Sequence, residues 1–452
     1  MEKQSITAKK LKIGIAAAFV ISGFLQAQQS FTVEQSLDYA INNNVSVKKA
    51  RIDQIKASQK VKETTGIGLP QISGQAKYNY YLKTPVMLID ASVFDPSVPA
   101  GSIQEFPQGL KHNTNAGVTL TQILFNGSYL VGLKSAKAYK ETAALAEEKT
   151  EISIKEGIMM AYAAVISTDE NIKTLEENMK VAEKTLNDTK ATYKVGLTEE
   201  QNVEQLEFSY KSLETNKENL KRTRTKLLMA LKYLMGYPLE KEIELSTTLD
   251  EMVQKNQVLV DQNASVDITN HIDMRLKNNA LKVSELQLKY QKSQALPSLT
   301  GIANYGINTG SNQFNVFDTK TRWFDSSILG LQLDIPIFSG LQRHWQTQQA
   351  QLDVTKAQLD KEDTEKSLKK DYFEKSVDYN NAFESYKTAQ EQIKLSSSIY
   401  RKEQIKFKEG LGSSFDLQNS ETQLYNSQSL LYQSAINLIQ AKVALDKAKG
   451  EL

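Results

Sequence analysis

The hydrophobic positions of the last long segment repeat every seven residues. Leucine occupies every seventh position from Leu417 to Leu445, and serine or alanine stands between the leucines. This alternating spacing of three and four is typical of a coiled coil. The segment Phe373–Phe407 keeps the same rhythm, and Gly410 then interrupts it. We therefore predict two antiparallel helices, with a left-handed glycine ending the first and a serine capping the second.

A second helical hairpin is predicted earlier in the chain. Residues 128–193 contain no proline, and their later half carries an apolar seam from Ile172 to Tyr193. Gly196 marks a turn, and the returning helix is predicted to end at Gly236. The two hairpins have the same design, with a glycine turn between long helices.

Between the helices the hydrophobic period changes from 3.5 to two. Residues 71–82 and 114–125 alternate apolar and polar side chains, and residues 299–307 and 329–337 do the same. This alternation predicts β-strands with one apolar face. Residues 85–111 contain four prolines and are interpreted as a long loop.

The order of predicted elements occurs twice, so the chain is predicted to be a duplicated unit of helix, strand pair and long helical hairpin. The segment starting at Leu69 matches the segment starting at Leu296 without a gap. The first repeat is predicted at residues 28–238, with its strand pair at 71–125 and its hairpin at 128–236. The second repeat is predicted at residues 270–452, with its strand pair at 298–338 and its hairpin at 341–450. Residues 239–269 are predicted to connect the two repeats.

The apolar face of the strands needs a cover that the helices cannot provide, because their apolar residues form their own seams. Lipid is the expected cover, and a sheet in a membrane must close into a barrel. Four strands are too few, so two copies would supply eight strands and three would supply twelve. A soluble sandwich beside a stalk is the alternative. The residues predicted to face lipid are Ile72, Tyr78, Val118, Leu120, Leu331, Leu333 and Ile335.

Composition and the N-terminal pattern predict an exported protein. Residues 1–27 combine four lysines with an apolar run, which is typical of a signal peptide cleaved after Ala27. The chain has no cysteine, which excludes disulfides. Without residues 1–27 the basic and acidic side chains nearly balance, so the charge gives no support for nucleic acid binding. No other run is long and apolar enough for a membrane-spanning helix.

The sequence contains no recognisable catalytic constellation. His112, His271 and His344 are scattered, and neither a phosphate-binding glycine loop nor a metal-ligand spacing is present. We therefore expect no enzymatic activity, no cofactor and no metal site. A secreted coiled-coil structural or adhesive surface protein remains an alternative to a channel, although a stalk does not require alternating strands.

Three pairs of features recur in the same order in both halves of the chain: the strand entries at Leu69 and Leu296, the strand exits at Phe125 and Phe338, and the turns at Gly196 and Gly410. Through these residues the chain resembles the TolC family of outer-membrane efflux proteins over nearly its whole mature length. The resemblance implies a mainly α-helical fold with membrane β-strands. It also implies that three copies together form a twelve-stranded β-barrel that is continuous with an α-helical tunnel. It further implies a homotrimer in the outer membrane that extends into the periplasm as an exit duct. The partners would be outer-membrane lipid, a periplasmic adaptor (membrane fusion) protein, and an inner-membrane pump or type I secretion machine.

The resemblance also implies two functional regions. The turns would be periplasmic tips that dock the adaptor, formed by Val195, Gly196, Leu197, Gly410 and Leu411. The start of the last helix would line the periplasmic mouth of the tunnel, with an acidic ring at Asp416 and a second ring position at Asn419, which is uncharged. Phe407 and Gly412 stand where some family members have a tyrosine and an arginine that help lock the mouth. An Asp in a first helical turn is also favoured by the helix dipole alone.

Overall fold

The computed structural model describes residues 29–257 and 266–452. The predicted signal peptide at 1–27 and part of the predicted connector lie outside these residues. No described helix is both long and apolar enough to cross a membrane.

The same order of elements occurs twice, which confirms the predicted duplication. The elements up to the end of the first hairpin are β1 (Gln29–Phe31), α1 (Val33–Asn43), α2 (Val45–Ile67), β2 (Gln71–Tyr80), β3 (Val86–Asp90), β4 (Ile103–Pro107), β5 (His112–Asn126), α3 (Gly127–Lys194) and α4 (Glu200–Met235). The remaining elements are β6 (Ile243–Leu245), α5 (Leu249–Lys255), α6 (Ile272–Ser293), β7 (Ser298–Ser311), β8 (Phe324–Asp334), α7 (Gln342–Lys408) and α8 (Ser414–Lys449).

The first helical segment of the chain is divided into α1 and α2. Phe31 belongs to β1, Thr32 caps α1, and the helix is interrupted at Asn44. The interruption has a side-chain cause, because the Asn44 Oδ1 accepts hydrogen bonds from the backbone N–H of Ser46 and Val47. These bonds cap α2 and start a new helix rather than continue the old one.

The main sheet contains four antiparallel strands in the order β2-β5-β7-β8. Strands β2 and β8 form its two edges. A bulge between Ile123 and Phe125 shifts the register of β5 against β7 and breaks the predicted alternation there. Outside the main sheet, the short strand β6 pairs with β1 in parallel.

Strand β8 begins and ends earlier than predicted, and this corrects the placement of Ile335 in a lipid-facing strand. The ladder between β7 and β8 ends at the pair Ser298 and Asp334. Pro297 and Pro336 stand next to this last pair, and proline has no N–H to donate to a ladder. Ile335 is exposed but lies just outside the strand.

The predicted loop at residues 85–111 is also corrected by the structure. Strands β3 and β4 pair as an antiparallel hairpin within it. Pro85 and Pro107 stand at the ends of these strands rather than in their interiors, so they do not prevent pairing.

The chain forms two compact units. The helical unit comprises the described part of residues 1–49 together with Glu148–His271 and Ser367–Leu452. The sheet unit comprises Ala50–Glu147 and Ile272–Lys366. The main sheet and the β3–β4 hairpin belong to the sheet unit, whereas both hairpin turns belong to the helical unit.

The core of the helical unit is built around buried tyrosines in α3 and α7. Tyr162 donates a hydrogen bond to the carbonyl of Phe31 at 2.9 Å and accepts one from the N–H of Thr247 at 3.0 Å. Tyr379 donates to the carbonyl of Asn256 at 2.8 Å. Buried hydroxyl groups need such partners, so these bonds attach the long helices to the β1–β6 strand pair and α5.

The predicted leucine seam of α8 is confirmed as a packing surface. Leu417, Leu424, Leu438 and Leu445 are buried, and the intervening Ser420 is buried as well. Small residues between the leucines permit close packing of neighbouring helices.

Candidate functional site

The two hairpin turns have the same backbone geometry, which places their glycines in the left-handed region. The φ angle is 77° at Gly196 and 72° at Gly410. The N–H of Leu197 bonds the carbonyl of Thr192 at 3.0 Å, and the N–H of Leu411 bonds that of Lys406 at 2.8 Å. Each turn is therefore a Schellman motif, which requires the positive φ that glycine adopts most easily.

Each turn exposes a leucine to solvent. Leu197 is 78% exposed and Leu411 is 80% exposed, and Val195 is also exposed. Large apolar side chains at such positions contribute nothing to the core of this chain. An exposed apolar cluster on a protein surface is a common mark of a binding site.

The two turns are held close together by contacts between the hairpins. The hydroxyl of Ser414, the first residue of α8, lies within hydrogen-bonding distance of the side-chain oxygens of Asn202 and Gln205 on α4, and it can donate to one of them at a time. Leu186, Leu206 and Leu417 form a buried cluster just inside the turns. The structure thus brings the predicted tip residues of both repeats to one end of the helical unit.

A cleft of about 580 Å³ lies between the two turns. Most of its lining side chains are hydroxyl or amide groups, which can bind a polar partner. Its ionisable side chains are Asp188, Glu199 and Lys408. The cleft therefore combines a mainly polar, partly acidic floor with the exposed leucines of the turns.

The structure gives the residues predicted at the mouth different environments. Asp416 is exposed and closes the start of α8, because its N–H donates to the Ser413 Oγ at 3.1 Å and its carboxylate accepts from that hydroxyl at 2.7 Å. Asn419 is also exposed. Phe407 is half-buried and packs against the cluster of Leu186, Leu206 and Leu417. A Cβ added at Gly412 would lie 3.2 Å from the backbone N of Phe407. The hydrogen bonds of Asp416 with the N-cap residue Ser413 are observed, and its place in an acidic ring remains a prediction.

A buried carboxylate near the tips was missed in the sequence. Glu421 on α8 is only 4% exposed, and its carboxylate accepts hydrogen bonds from Ser209 on α4 and, at 2.7 Å, from Tyr425. Burial raises the pKa of Tyr425 and of Tyr400, and the charge of Glu421 raises both further. Tyr425 follows Glu421 by one helical turn, which was the available signal.

The residues predicted to face lipid share one face of the main sheet, apart from Ile335. One row across the four strands consists of Ile72, Leu120, Ala303 and Leu329. Tyr78, Val118, Leu331 and Leu333 belong to the same face by register. The exposed surface of this face is therefore continuous from edge to edge.

The opposite face of the sheet is polar along its central strands. Asn304 donates a hydrogen bond to the Thr119 hydroxyl at 2.7 Å across the β5–β7 ladder. Ser73 and Gln75 continue this face on β2. One apolar and one polar face is the pattern of a sheet that separates lipid from a water-filled lumen.

Aromatic side chains gather at the end of the sheet away from the helices that flank its strands. Tyr78 hydrogen-bonds the Nδ1 of His112 at 2.7 Å, and Tyr80 and Phe314 pack against the same imidazole ring. Ladder pairing of β2 spans ten residues. At about 3.3 Å per residue and a tilt near 40°, this gives a height of roughly 25 Å, which matches the apolar band of membrane barrels and places the aromatic residues at its edge.

Among the residues described, no three His, Cys, Asp or Glu side chains are arranged to hold a metal ion. His112 contacts tyrosines, and the Nε2 of His271 donates to the carbonyl of Lys447 at 3.1 Å. These two histidines therefore have structural partners.

Comparison with known proteins gives one family model, described as outer membrane efflux protein, which matches residues 37–237 and 268–451. The outer membrane protein TolC of Vibrio cholerae serotype O1 is 22% identical over 262 residues. That match covers 57% of this chain and 58% of the relative, so it spans less than two thirds of the relative's length.

Solved structures with the same fold cover more of the chain. The CmeC outer membrane channel of Campylobacter jejuni has a TM-score of 0.70 at 18% identity, covering 93% of this chain and 85% of that one. CusC has a TM-score of 0.74 at 14% identity and covers 92% of both chains. The MtrE outer membrane channel of Neisseria gonorrhoeae, in its open state, has a TM-score of 0.71 at 16% identity, covering 92% and 88%.

Proposed function

We propose that this chain forms the passive exit duct of a tripartite efflux pump or a type I secretion system, because it belongs to the outer membrane efflux protein family. The family assignment places the protein in the outer membrane, with its helices extending into the periplasm. It also identifies the protein as a channel component and not an enzyme.

The observation that carries the proposal is the open sheet with one apolar face. Strands β2 and β8 leave their outer edges unpaired in a single copy. Unpaired edges are not tolerated in lipid, because each unsatisfied backbone group there costs several kcal/mol. Pairing of β8 of one copy with β2 of the next satisfies both edges, and three copies give a closed barrel of twelve strands.

The tip region is proposed as the docking site for a periplasmic adaptor protein. Val195, Leu197 and Leu411 are exposed next to the polar cleft. An adaptor tip with an apolar side chain for the leucines and a cationic or hydroxyl side chain for Asp188 and Glu199 would complement this surface. Transport energy would then come from the partner pump, because the duct itself has no site for chemistry among its described residues.

The adhesive-stalk alternative predicts a different sheet. A stalk has no use for an apolar face that continues across four strands from Ile72 to Leu329. It also gives no reason for two turns with matching exposed leucines. The open sheet and the paired turns therefore favour the duct.

Planar-bilayer recording of the purified full-length protein tests the proposal. Trimers should insert in one orientation and give uniform conductance steps. A protein that remains monomeric in mild detergent and gives no conductance would contradict the duct. Deletion of the chromosomal gene then separates the two machines, since loss of efflux raises the retention of small compounds whereas loss of type I secretion removes a protein from the medium.

A further inference from the structure

The polar face of the main sheet carries a lysine near the end of the sheet that lies away from the flanking helices. We call this end the outer end. One row across the four strands consists of Lys77, Asn115, Asn308 and Phe324, and it lies on the same face as Asn304. Lys77 is exposed, and within the four strands it is the only lysine or arginine.

A second lysine continues the polar face just before β5. The N–H of Tyr81 bonds the carbonyl of Lys111 at 2.8 Å, which extends the β2–β5 ladder by one pair. Side chains alternate along a strand, so Lys111 lies on the same face as Asn113 and Asn115. Lys111 is also exposed.

An arginine is positioned at the same end by two contacts. The carbonyl of Arg322 accepts a hydrogen bond from the Thr309 hydroxyl at 2.9 Å. Its guanidinium carbon lies 5.1 Å from the centre of the Phe324 ring, which is a cation–π contact. Phe324 belongs to the row of Lys77, so this contact places the Arg322 charge at the polar face. No described residue accepts a hydrogen bond from the guanidinium, so its N–H groups are available to a ligand.

Within the strands, the polar face has no carboxylate near its outer end. The four strands contain two acidic residues, Asp325 and Asp334. Asp325 pairs with Ile307 and therefore belongs to the opposite, apolar face. Asp334 ends β8, and at about 3.3 Å per residue it lies roughly 33 Å along the strand from Phe324. The Debye length at physiological ionic strength is about 8 Å, so Asp334 does not neutralise the cations.

The proposed barrel directs these charges into its lumen. The polar face lines the lumen, so the three copies place their basic side chains around its outer end. Twelve strands spaced about 4.8 Å apart and tilted near 40° enclose a space roughly 24 Å across between backbones. Long basic side chains extend inward from this wall, which brings their charges within about one Debye length of the axis. Their fields therefore overlap in the lumen.

We propose that Lys77, Lys111 and Arg322 form an anion-binding belt at the outer end of the lumen, which favours cargo that carries carboxylate or phosphate groups. The inference rests on the proposed trimeric duct and gives it a substrate class. The guanidinium fork binds two oxygens of such a group at once, and the lysines add point charges. Several weak sites around a water-filled lumen attract an anion without retaining it, as conduction requires.

Single-channel recording with a small polyanion tests the belt. Tripolyphosphate added on the outer side should block unmodified trimers, and the block should weaken as the salt concentration rises. In the triple variant Lys77→Gln, Lys111→Gln, Arg322→Gln, the concentration for half block should rise by roughly tenfold or more, because one hydrogen bond to a charged group contributes at least about that factor. The reversal potential in a salt gradient should shift toward higher cation selectivity.

Two matched variants separate position from charge and charge from geometry. Asp325→Asn removes a charge directly beside Phe324 but on the opposite face, so block and reversal potential should stay unchanged. Arg322→Lys keeps the charge and loses the planar fork, so the reversal potential should be retained while the block weakens.

Equal block of unmodified and triple-variant trimers overturns the belt, as does an unmodified channel that tripolyphosphate does not block from the outer side. If the triple variant yields no trimers, Lys77→Gln and Arg322→Gln are recorded separately. Each should shift the reversal potential by less and in the same direction, and unchanged block in both overturns the belt. Loss of trimers and conductance in the unmodified protein would instead count against the duct itself.

Discussion

The side chain of Asn44 donates a hydrogen bond to the backbone carbonyl of Leu234 at 2.7 Å, although 190 residues separate them in the chain. The same side chain caps α2 through its Oδ1. Leu234 lies in the last turn of α4, where carbonyl groups lack helical partners. One buried amide therefore starts one helix and ends another, and it ties the beginning of the first repeat to the end of its hairpin.

Replacement of Asn44 by alanine is expected to destabilise the helical unit. The substitution removes the cap of α2 and leaves the Leu234 carbonyl without its partner, at a cost of about 1–3 kcal/mol. The measurement is thermal unfolding followed by circular dichroism. Asn42→Ala is the matched control, because Asn42 is exposed and bonds only within its own helix. Equal melting curves for the two variants would show that the cap contributes little.

An arginine on the apolar face of β8 should impair assembly. Leu333→Arg places a charge toward lipid one residue before the end of β8, where the cost per copy is lower than the roughly 2–4 kcal/mol of the midplane. The matched control is Ile328→Arg on the same strand, because Ile328 pairs with Asn304 on the opposite face and is 64% exposed against 58% for Leu333. The yield of trimers from outer-membrane extracts should fall only for Leu333→Arg. A fall of similar size for both variants would contradict the assignment of the apolar face of the sheet to lipid.

Aspartate at both tip leucines should abolish export without affecting the channel. Leu197→Asp with Leu411→Asp replaces the exposed apolar contacts by charges next to a cleft that already contains Asp188 and Glu199. Export from cells that contain the partner pump should be lost, whereas trimer yield and conductance remain. Phe208→Asp, an exposed apolar site within α4, serves as the control. Full export by the double variant would exclude the leucines from docking.

Replacement of Asp416 by asparagine separates its two possible roles. If three copies bring this residue around a narrow lumen, their combined field should favour cations, and the variant should lower cation selectivity. The measurement is the reversal potential in a salt gradient, together with block by multivalent cations added on the periplasmic side. Asparagine retains a side-chain oxygen for the Ser413 hydroxyl, so helix α8 should still start normally. Unchanged selectivity and block would leave Asp416 only as the first-turn partner of the N-cap residue Ser413.

The stability of the helical unit should depend on the hydroxyl groups that donate hydrogen bonds to the buried carboxylate of Glu421. Tyr425→Phe removes one donor to a buried acid, at a cost of about 1–3 kcal/mol. Glu421→Met together with Tyr425→Phe should recover much of this loss, because no buried charge then remains unsatisfied. Thermal unfolding measures both effects, and Tyr193→Phe at an exposed tyrosine is the control. A double variant less stable than Tyr425→Phe alone would contradict this account.

The raised pKa of Tyr425 predicts that the stability of the helical unit depends on pH in the alkaline range. Burial, and then the Glu421 charge, raise the pKa of Tyr425, so the folded protein holds the phenol proton more tightly than the unfolded chain does. The resulting stability is fully present below the unfolded pKa near 10 and decreases as the pH rises above it. Melting temperatures measured from about pH 8 to 11 should fall more steeply in the wild type than in Tyr425→Phe.

Features that depend on local periodicity could be predicted from the sequence. The leucine seam from Leu417 to Leu445, the Schellman glycines at 196 and 410, and the strand faces containing Ile72 and Leu333 follow from spacings of seven, from the need for positive φ, and from the alternation of two. The duplication reinforced each of these, because every element had a counterpart at the same place in the other repeat. Each of these features depends on residues within a few turns of one another.

Sequence patterns were therefore sufficient to predict the repeated plan, the long hairpins, the exposed tips and the apolar face of the strands. Tertiary structure alone decided which distant partners meet: Asn44 with Leu234, β1 with β6, Ser209 with Glu421, and Val86 with Pro107. No spacing along the chain encodes these pairs. Each forms when the packing of whole helices and strands excludes water and leaves a buried polar group or an unpaired strand. Only one distant segment can then supply the missing hydrogen-bond partner.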